Sequence, residues 1–459
     1  MAKKHEAIIS LRRLINSYKI KIFNDFRLKR IFLTGITALV SKIITALVQL
    51  ISIPLAIKYL GVGVFGVIMT IINTVTTLAL ADLGLGFGIQ TLLPSSVSKQ
   101  DTNEINKIIS NAFFMLVFSA STFLFVFFII NNREIDWVNL LGLNTNMSAA
   151  TLQKVIIVIV VSFLIGLPFV MVQRIYSVYQ EGYYNEIWSG VAKMSSLFIL
   201  WLAIMYDWKS SGVVFAFFSI DYIFIVLSFI MLFSFVKPYL RISVRYFDKK
   251  TIIALTTSGM FFFVLQAASI LVNLVDSFLI LKYVGANSSA LYAISMRVIT
   301  LMALPIQIFS LSTLSAYNDA FVNQEFGWIK STLRTYFKMT AIISIILAIL
   351  FSVFSNMILH YWIGNEIIYL SPLQNSIFAV LLINTILNAV ISYISLSNFL
   401  YKFVFKVYPF VAILCICCKL ISIHFFGGSI ELIVGITIII PTLFYFLPVL
   451  YKLRQQNLI

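Results

Sequence analysis

Charge is scarce in this sequence. Only 11% of its 459 residues are Asp, Glu, Lys or Arg, under half the ~25% usual in soluble chains, which excludes a soluble domain of useful size. Acids are the scarcer sign, 17 against 33 Lys and Arg. Histidine is limited to the scattered His5, His360 and His424, so no histidine-based site is visible. Cysteine is limited to Cys415, Cys417 and Cys418, all in one apolar run with no His or acid spaced to join them. Buried apolar packing is the expected role of these thiols, and neither a metal nor a cofactor is implied. The first 30 residues lack the apolar core and small-residue cleavage site of a signal peptide.

What the chain has is hydrophobic length. Apolar residues make up 61% and the mean hydropathy is +1.00. Many segments pass the 18 apolar residues that define a spanning candidate, so an all-α polytopic membrane protein is expected. Twelve spans are predicted: Ile31–Ile57, Val64–Leu93, Ile108–Ile130, Val155–Ile175, Ile187–Tyr206, Val213–Val236, Ile252–Leu281, Ala290–Leu314, Phe337–Leu359, Ser376–Leu396, Val407–Phe425 and Leu432–Leu450. The net charge of +16 does not point to nucleic acid, because the basic residues gather at span ends and in alternate loops. That pattern places both termini in the cytoplasm.

The sequence is organised around residues 31–94, two apolar runs joined by Lys58-Tyr59-Leu60-Gly61-Val62-Gly63. The turn returns as Lys282-Tyr283-Val284-Gly285, an offset of 224 residues. At the same offset the polar stripe Lys42, Thr45, Gln49, Ser52 returns as Gln266, Ser269, Asn273, Asp276. A turn and a stripe repeating together predict internal duplication. The shift crosses six spans, so the copies run in the same direction, as two six-helix halves about an axis along the membrane normal. The expected organisation is a basic amphipathic segment 1–30, halves at 31–236 and 252–450, a basic cytoplasmic linker 237–251 and a tail 451–459. The segment 1–30 suits a helix lying on an anionic leaflet; a plain topogenic charge cluster fits it equally.

Charges inside spans cost about 2.5–3.5 kcal/mol each on insertion scales, so each asks for a reason. Lys42 and Arg297 are the deepest cations, and an anion-binding cavity between the halves is the functional reading. The structural reading is pairing with a buried acid. Counting ~1.5 Å per residue puts Asp276 and Arg297 at similar depth, and Lys42 near Asp82, so these are the candidate pairs under the structural reading; cavity lining is the favoured reading for both cations, and the two can coexist. Lys193 and Lys419 lie nearer span ends, where snorkelling to headgroups is expected. Asp221 has no obvious partner and, with Asp82 and Asp276, is a candidate for ion coupling or charge pairing. Polar cavity candidates are Gln49, Gln266, Asn273, Thr300, Gln307, Asn384 and Asn388. The last two, with Ser392, share one face of the tenth span, where interhelical hydrogen bonding is the alternative. The aromatic turn holding Tyr176, Tyr179, Tyr183 and Tyr184 reads as an interface belt, with sugar stacking as the alternative.

The turn Lys58-Tyr59-Leu60-Gly61, the following Phe65-Gly66 and the run Asp82-Leu83-Gly84 resemble the first two spans of bacterial polysaccharide-unit flippases. These are the O-antigen and capsule exporters of the multidrug/oligosaccharidyl-lipid/polysaccharide exporter superfamily. The resemblance implies a MATE-like V-shaped bundle in the bacterial cytoplasmic membrane. It would carry an undecaprenyl-diphosphate-linked oligosaccharide from inner to outer leaflet by alternating access, with H+ or Na+ as candidate coupling ions and other polysaccharide-assembly proteins as candidate partners. Ser41-Lys42 sits where the similar peptidoglycan-precursor flippases carry Ser-Arg, which favours Lys42 as a cavity cation. Val48 is uncharged where those relatives have a second basic residue, which disfavours peptidoglycan precursor as cargo. A proton- or Na+-coupled multidrug exporter of the same fold is the alternative, although four cations in the spans against three central acids disfavour it. An enzyme of polysaccharide assembly would need a catalytic acid in an outer loop, and Glu134, Asp136 and Glu366 show no arrangement that recommends them.

Overall fold

The computed structural model describes residues 26–132, 137, 147–273, 275–322, 324–363, 369–396 and 400–455. Residues 1–25 of the predicted basic segment 1–30, residues 456–459 of the predicted tail 451–459, and the acids Glu134, Asp136 and Glu366 lie outside them. Among the described residues there is no strand, and twelve helical spans are long and apolar enough to cross a membrane. They are α1 (Leu33–Leu60), α2 (Val62–Asp82), α3 (Thr102–Asn131), α4 (Ala149–Val178), α5 (Tyr183–Met205), α6 (Lys209–Val236), α7 (Lys249–Tyr283), α8 (Ala286–Gln307), α9 (Phe326–Ile363), α10 (Pro372–Ile391), α11 (Phe403–Phe426) and α12 (Ile430–Gln455). Each predicted span has its counterpart.

Local chemistry explains where the spans begin and break. Asp101 accepts from the backbone N–H of Asn103 and Glu104 to start α3, Ser148 caps α4 and Ser429 caps α12. Gly61 and Gly285 close the two matched turns with φ of +83° and +116°, a region that side chains with a Cβ disfavour. We call this end of the bundle the turn end, and the opposite one the linker end. Beyond Asp82 the second span breaks at Leu83 and Gly84, whose φ values are 51° and 74°. Asp82 Oδ1 accepts from the Gly84 N–H at 2.8 Å to hold the break. Helix Leu85–Ser98 then carries the chain to the linker end.

The repeat is visible in the packing. In the first set of six spans α1 lies along α5, and in the second α7 lies along α11. A π-helical turn occupies Phe215–Ser219 in α6 and Thr442–Phe446 in α12. Each is tied to the helix two spans before it, Ser219 to Ser162 of α4 at 2.7 Å and Thr442 to Asn384 of α10 at 2.7 Å. Large apolar side chains such as Phe118, Phe125, Ile342 and Val353 project outwards, as lipid-facing surfaces require.

The two sets meet through small residues. Near the turn end Gly66 of α2 lies so close to α8 that a Cβ would come within 2.4 Å of the Ala286 carbonyl. Thr70 and Ser289 share a hydrogen bond of 2.5 Å beside it, and Asn73 donates to Ser277 at 3.2 Å. Towards the linker end Gly84 and Gly259 lie back to back, and a Cβ on Gly259 would come within 2.2 Å of the Gly84 carbonyl. Small residues allow such approach, and in lipid it is dispersion and hydrogen bonding that hold helices together.

The stretch between the sets is strapped onto α3. Asn106 accepts from the Arg241 N–H at 2.9 Å, Ser110 from the Ser243 N–H at 3.1 Å and Asn111 from the Asp248 N–H at 3.0 Å. Asn111 also donates to the Tyr246 carbonyl at 2.8 Å. At the start of the strap, buried Lys237 pairs with buried Glu181 at 3.0 Å and lies 4.0 Å from the Tyr179 ring centroid. Burial first, then Tyr239 and Glu181, raise the Tyr179 phenol above its ordinary value, so it stays neutral beneath the ammonium.

Candidate functional site

The polar stripe of α1 faces inwards at its turn-end half. Gln49 and Ser52 line a cavity of about 600 Å³ together with Asn73 of α2, Gln173 of α4, Lys193 and Trp188 of α5, Asp221 and Tyr222 of α6, and Arg297 of α8. Every wall but one comes from the first six spans. Arg297 is the exception, reaching in from the second set.

The charges in this cavity are uneven. Lys193 Nζ lies 2.5 Å from Asp221 Oδ2, with side chains 24% and 35% exposed. That pair is wet and neutral overall. Arg297 is half-buried and meets no carboxylate among the described residues. The cavity therefore carries one uncompensated positive charge on a group that cannot discharge, with a planar fork of donors suited to phosphate or carboxylate oxygens.

Several expectations about pairing are corrected. Asp276 does not meet Arg297. It accepts from Lys419 Nζ at 2.5 Å and from Thr437 Oγ1 at 2.7 Å, while Lys419 also donates to the Val272 carbonyl at 2.7 Å. Lys419 thus does not snorkel; it is 0% exposed and lines neither described cavity. Lys193 does not snorkel either, because Asp221 holds it. Lys42 does not meet Asp82: it is exposed and lines neither cavity. Asp82 instead lies beside Arg174, the two being electrostatically coupled across Gly86, where a Cβ would come within 3.2 Å of Arg174 Nε and 3.3 Å of Asp82 Oδ2. Arg174 also donates to Gln90 at 3.3 Å and stacks over Phe87. It went unnoticed in the sequence because it closes its span and reads as a flanking charge.

The remaining candidates divide. Asn273, Asn384 and Asn388 line a second cavity of about 370 Å³ in the second six spans. Gln266, Thr300 and Gln307 line neither, and Thr300 spends its hydroxyl on the Met296 carbonyl at 2.7 Å. Of the tyrosine-rich turn, Tyr176 is fully buried and stacks on Tyr184 at 5.0 Å. Cys415 is buried as expected, but Cys417 is exposed. No group of three or more metal-binding side chains occurs among the described residues.

The family model described as "Polysaccharide biosynthesis protein" matches residues 33–317, well over half of the chain. The chain belongs to that family. This family member resembles solved transporters along almost its whole length. An inward-facing multidrug-resistance MATE transporter of the MOP superfamily aligns with a TM-score of 0.69 at 13% identity, covering 92% of this chain and 98% of that one. An outward-facing MATE transporter gives 0.64 at 14% identity, covering 96% and 98%. A MOP superfamily transporter from Pyrococcus furiosus, whose structure is reported under the heading "reverse polarity of binding pocket", gives 0.66 at 14% identity, covering 94% and 96%. At such identity the likeness establishes the MATE fold and nothing finer. No curated protein matches the sequence.

Proposed function

We propose that this protein moves an undecaprenyl-diphosphate-linked oligosaccharide repeat unit, of O-antigen or capsule type, across the bacterial cytoplasmic membrane. Movement runs from the inner to the outer leaflet by alternating access, with the basic linker end facing the cytoplasm. The observation that carries this reading is Arg297, a guanidinium that meets no carboxylate among the described residues and lines a cavity of about 600 Å³. A diphosphate headgroup entering a low-dielectric space loses hydration, and a fixed cation with charge-assisted hydrogen bonds offsets that loss. Membership of a polysaccharide-biosynthesis family supports a saccharide-bearing cargo. The prenyl chain stays in lipid while the headgroup crosses.

A proton- or Na+-coupled exporter of small molecules is the second reading. Asp221 favours it, since this partly exposed carboxylate lines the same cavity and is held by one lysine. The two readings separate in reconstituted vesicles that follow lipid-linked oligosaccharide translocation, comparing the parent with Arg297→Ala and Arg297→Lys at matched folded amounts. Losing a hydrogen bond to a charged group costs about 1.5–3 kcal/mol, or roughly 10- to 150-fold in headgroup affinity. A parent that flips the lipid and an Ala variant that fails uphold the proposal. An Ala variant that is folded and fully active sinks it. A parent that moves no lipid but exports an organic cation establishes the second reading.

A further inference from the structure

The duplication has given the protein two chambers, and their linings have diverged in charge. At the offset of 224 residues Val48 and Gln49 of the first chamber correspond to Val272 and Asn273 of the second, and each residue lines its own. Asp221 corresponds to Tyr445, which again lines the second chamber. Lys193 corresponds to Cys417, which does not. Where the first chamber carries an ion pair, the second carries a phenol.

No charged side chain lines the second chamber among the described residues. Asp276 and Lys419 lie behind its wall, closed on each other and on Thr437, so they offer it no net charge. What it presents instead is three amides and three tyrosines, of which Tyr408 and Tyr445 are tilted against each other with centroids 4.9 Å apart. Asn388 donates to the Asn384 carbonyl at 2.6 Å and Asn384 to Thr442 at 2.7 Å, which fixes both side chains and leaves each amide a further N–H. A phosphate finds no cation here, and a metal or organic cation finds no carboxylate. An alkyl chain would strand the amides without partners. A neutral polyhydroxyl body fits, with hydroxyls meeting amides and C–H faces meeting aromatic rings.

We propose that the second chamber is the glycan subsite, separate from the anionic headgroup subsite at Arg297. This rests on the flippase reading and assigns a different part of the same cargo. Helix α8 is the wall between them: Arg297 faces the first chamber while Met296 and Tyr292 face the second. A diphosphate held by Arg297 therefore leaves its sugars to pass around a helix about 10 Å wide. Specificity for the saccharide belongs to the second six spans, and capture of the lipid carrier to the first.

The test measures binding of farnesyl diphosphate and of a set of farnesyl-diphosphate-linked mono- to tetrasaccharides to purified protein. Parent, Asn388→Leu, Tyr408→Leu and Arg297→Ala are compared. The expected result is that at least one saccharide binds the parent more tightly than farnesyl diphosphate. Asn388→Leu and Tyr408→Leu each then lose that increment by roughly 3- to 10-fold, the worth of about one net hydrogen bond, and bind farnesyl diphosphate as the parent does. The unchanged diphosphate affinity reports that the variants are folded. If no saccharide adds affinity, or the variants keep the increment, the glycan assignment falls while the flippase reading stands. If the variants lose farnesyl diphosphate in equal measure, the chamber is structural and the assignment falls likewise. If the parent binds farnesyl diphosphate independently of Arg297, or not at all, the flippase reading itself fails.

Discussion

Lys419 and Asp276 form an ion pair with 0% and 1% side-chain exposure, which makes its removal the sharpest stability test in the molecule. The ammonium donates to Asp276 and to the Val272 carbonyl, and Thr437 donates to the other carboxylate oxygen. Lys419→Met keeps much of the packing volume and leaves Asp276 with one donor in a site without water access. Stranding a buried charge in this way costs about 3–5 kcal/mol. Asp276→Asn alone leaves a buried ammonium without its counter-charge and should cost a comparable amount. The double variant removes both charges, and its Asn can still accept from Thr437. Replacing a whole buried pair is often neutral or stabilising, so the double variant should recover most of either loss. Unfolding of purified protein in detergent, followed by near-ultraviolet circular dichroism across the four variants, gives the coupling. A coupling of about 2 kcal/mol or more is expected, within the range for residues in contact. Additive losses, or a Lys419→Met variant as stable as the parent, would refute the claim that the two groups neutralise each other.

Four further outcomes follow from the geometry. Gly259→Ala drives a methyl into the Gly84 carbonyl and should cost about 1–3 kcal/mol as overpacking, read as a lowered unfolding midpoint. Gly35→Ala, at the repeat-related position in α1, meets nothing within 4 Å and should change stability by less than ~1 kcal/mol. Lys193→Met should cost more than the ~1 kcal/mol of an exposed pair and less than the ~3 kcal/mol of a buried one, because its pair is partly exposed; urea titration of Lys193→Met and Lys419→Met against parent checks the ordering. Asp248 opens α7 by accepting from the Thr251 hydroxyl at 2.7 Å and N–H at 3.0 Å, which holds its carboxyl below the ordinary 3.8. The cap is therefore fully present above that value and lost as pH falls through the lowered one. Hydrogen exchange at the Thr251 and Ile252 amides should accelerate in that acid window and lose the dependence in Asp248→Asn.

The architecture was legible in the sequence because a membrane allows few solutions. Hydrophobic length sets a span, and the Lys58 to Gly61 turn repeating at Lys282 to Gly285 shows how the spans are grouped. Partner choice was not legible, and Lys419 shows why. Its depth from the end of α11 matches that of Asp276 from Gly285, yet Arg297 does so as well. Depth is one coordinate, and the angle around each helix axis decides which side chains meet. Lys42 fails for the same reason: its depth is right for a cavity cation, but it stands on an exposed side of α1 while Gln49 and Ser52 reach the cavity. Arg174 and Glu181 escaped notice because span ends are expected to carry charge, which hides the ones that turn inwards.

The strap between the two sets of spans has a mechanical consequence. Five hydrogen bonds of Asn106, Ser110 and Asn111 fasten residues 241–248 to α3, and Lys237 is locked at Glu181. A tether of this kind has almost no slack, so it moves as part of the first six helices. The strap therefore leaves the chain free to follow the second six spans only from Asp248 onward, where α7 begins. The linker is thus an anchored mount for α7, not a loose leash.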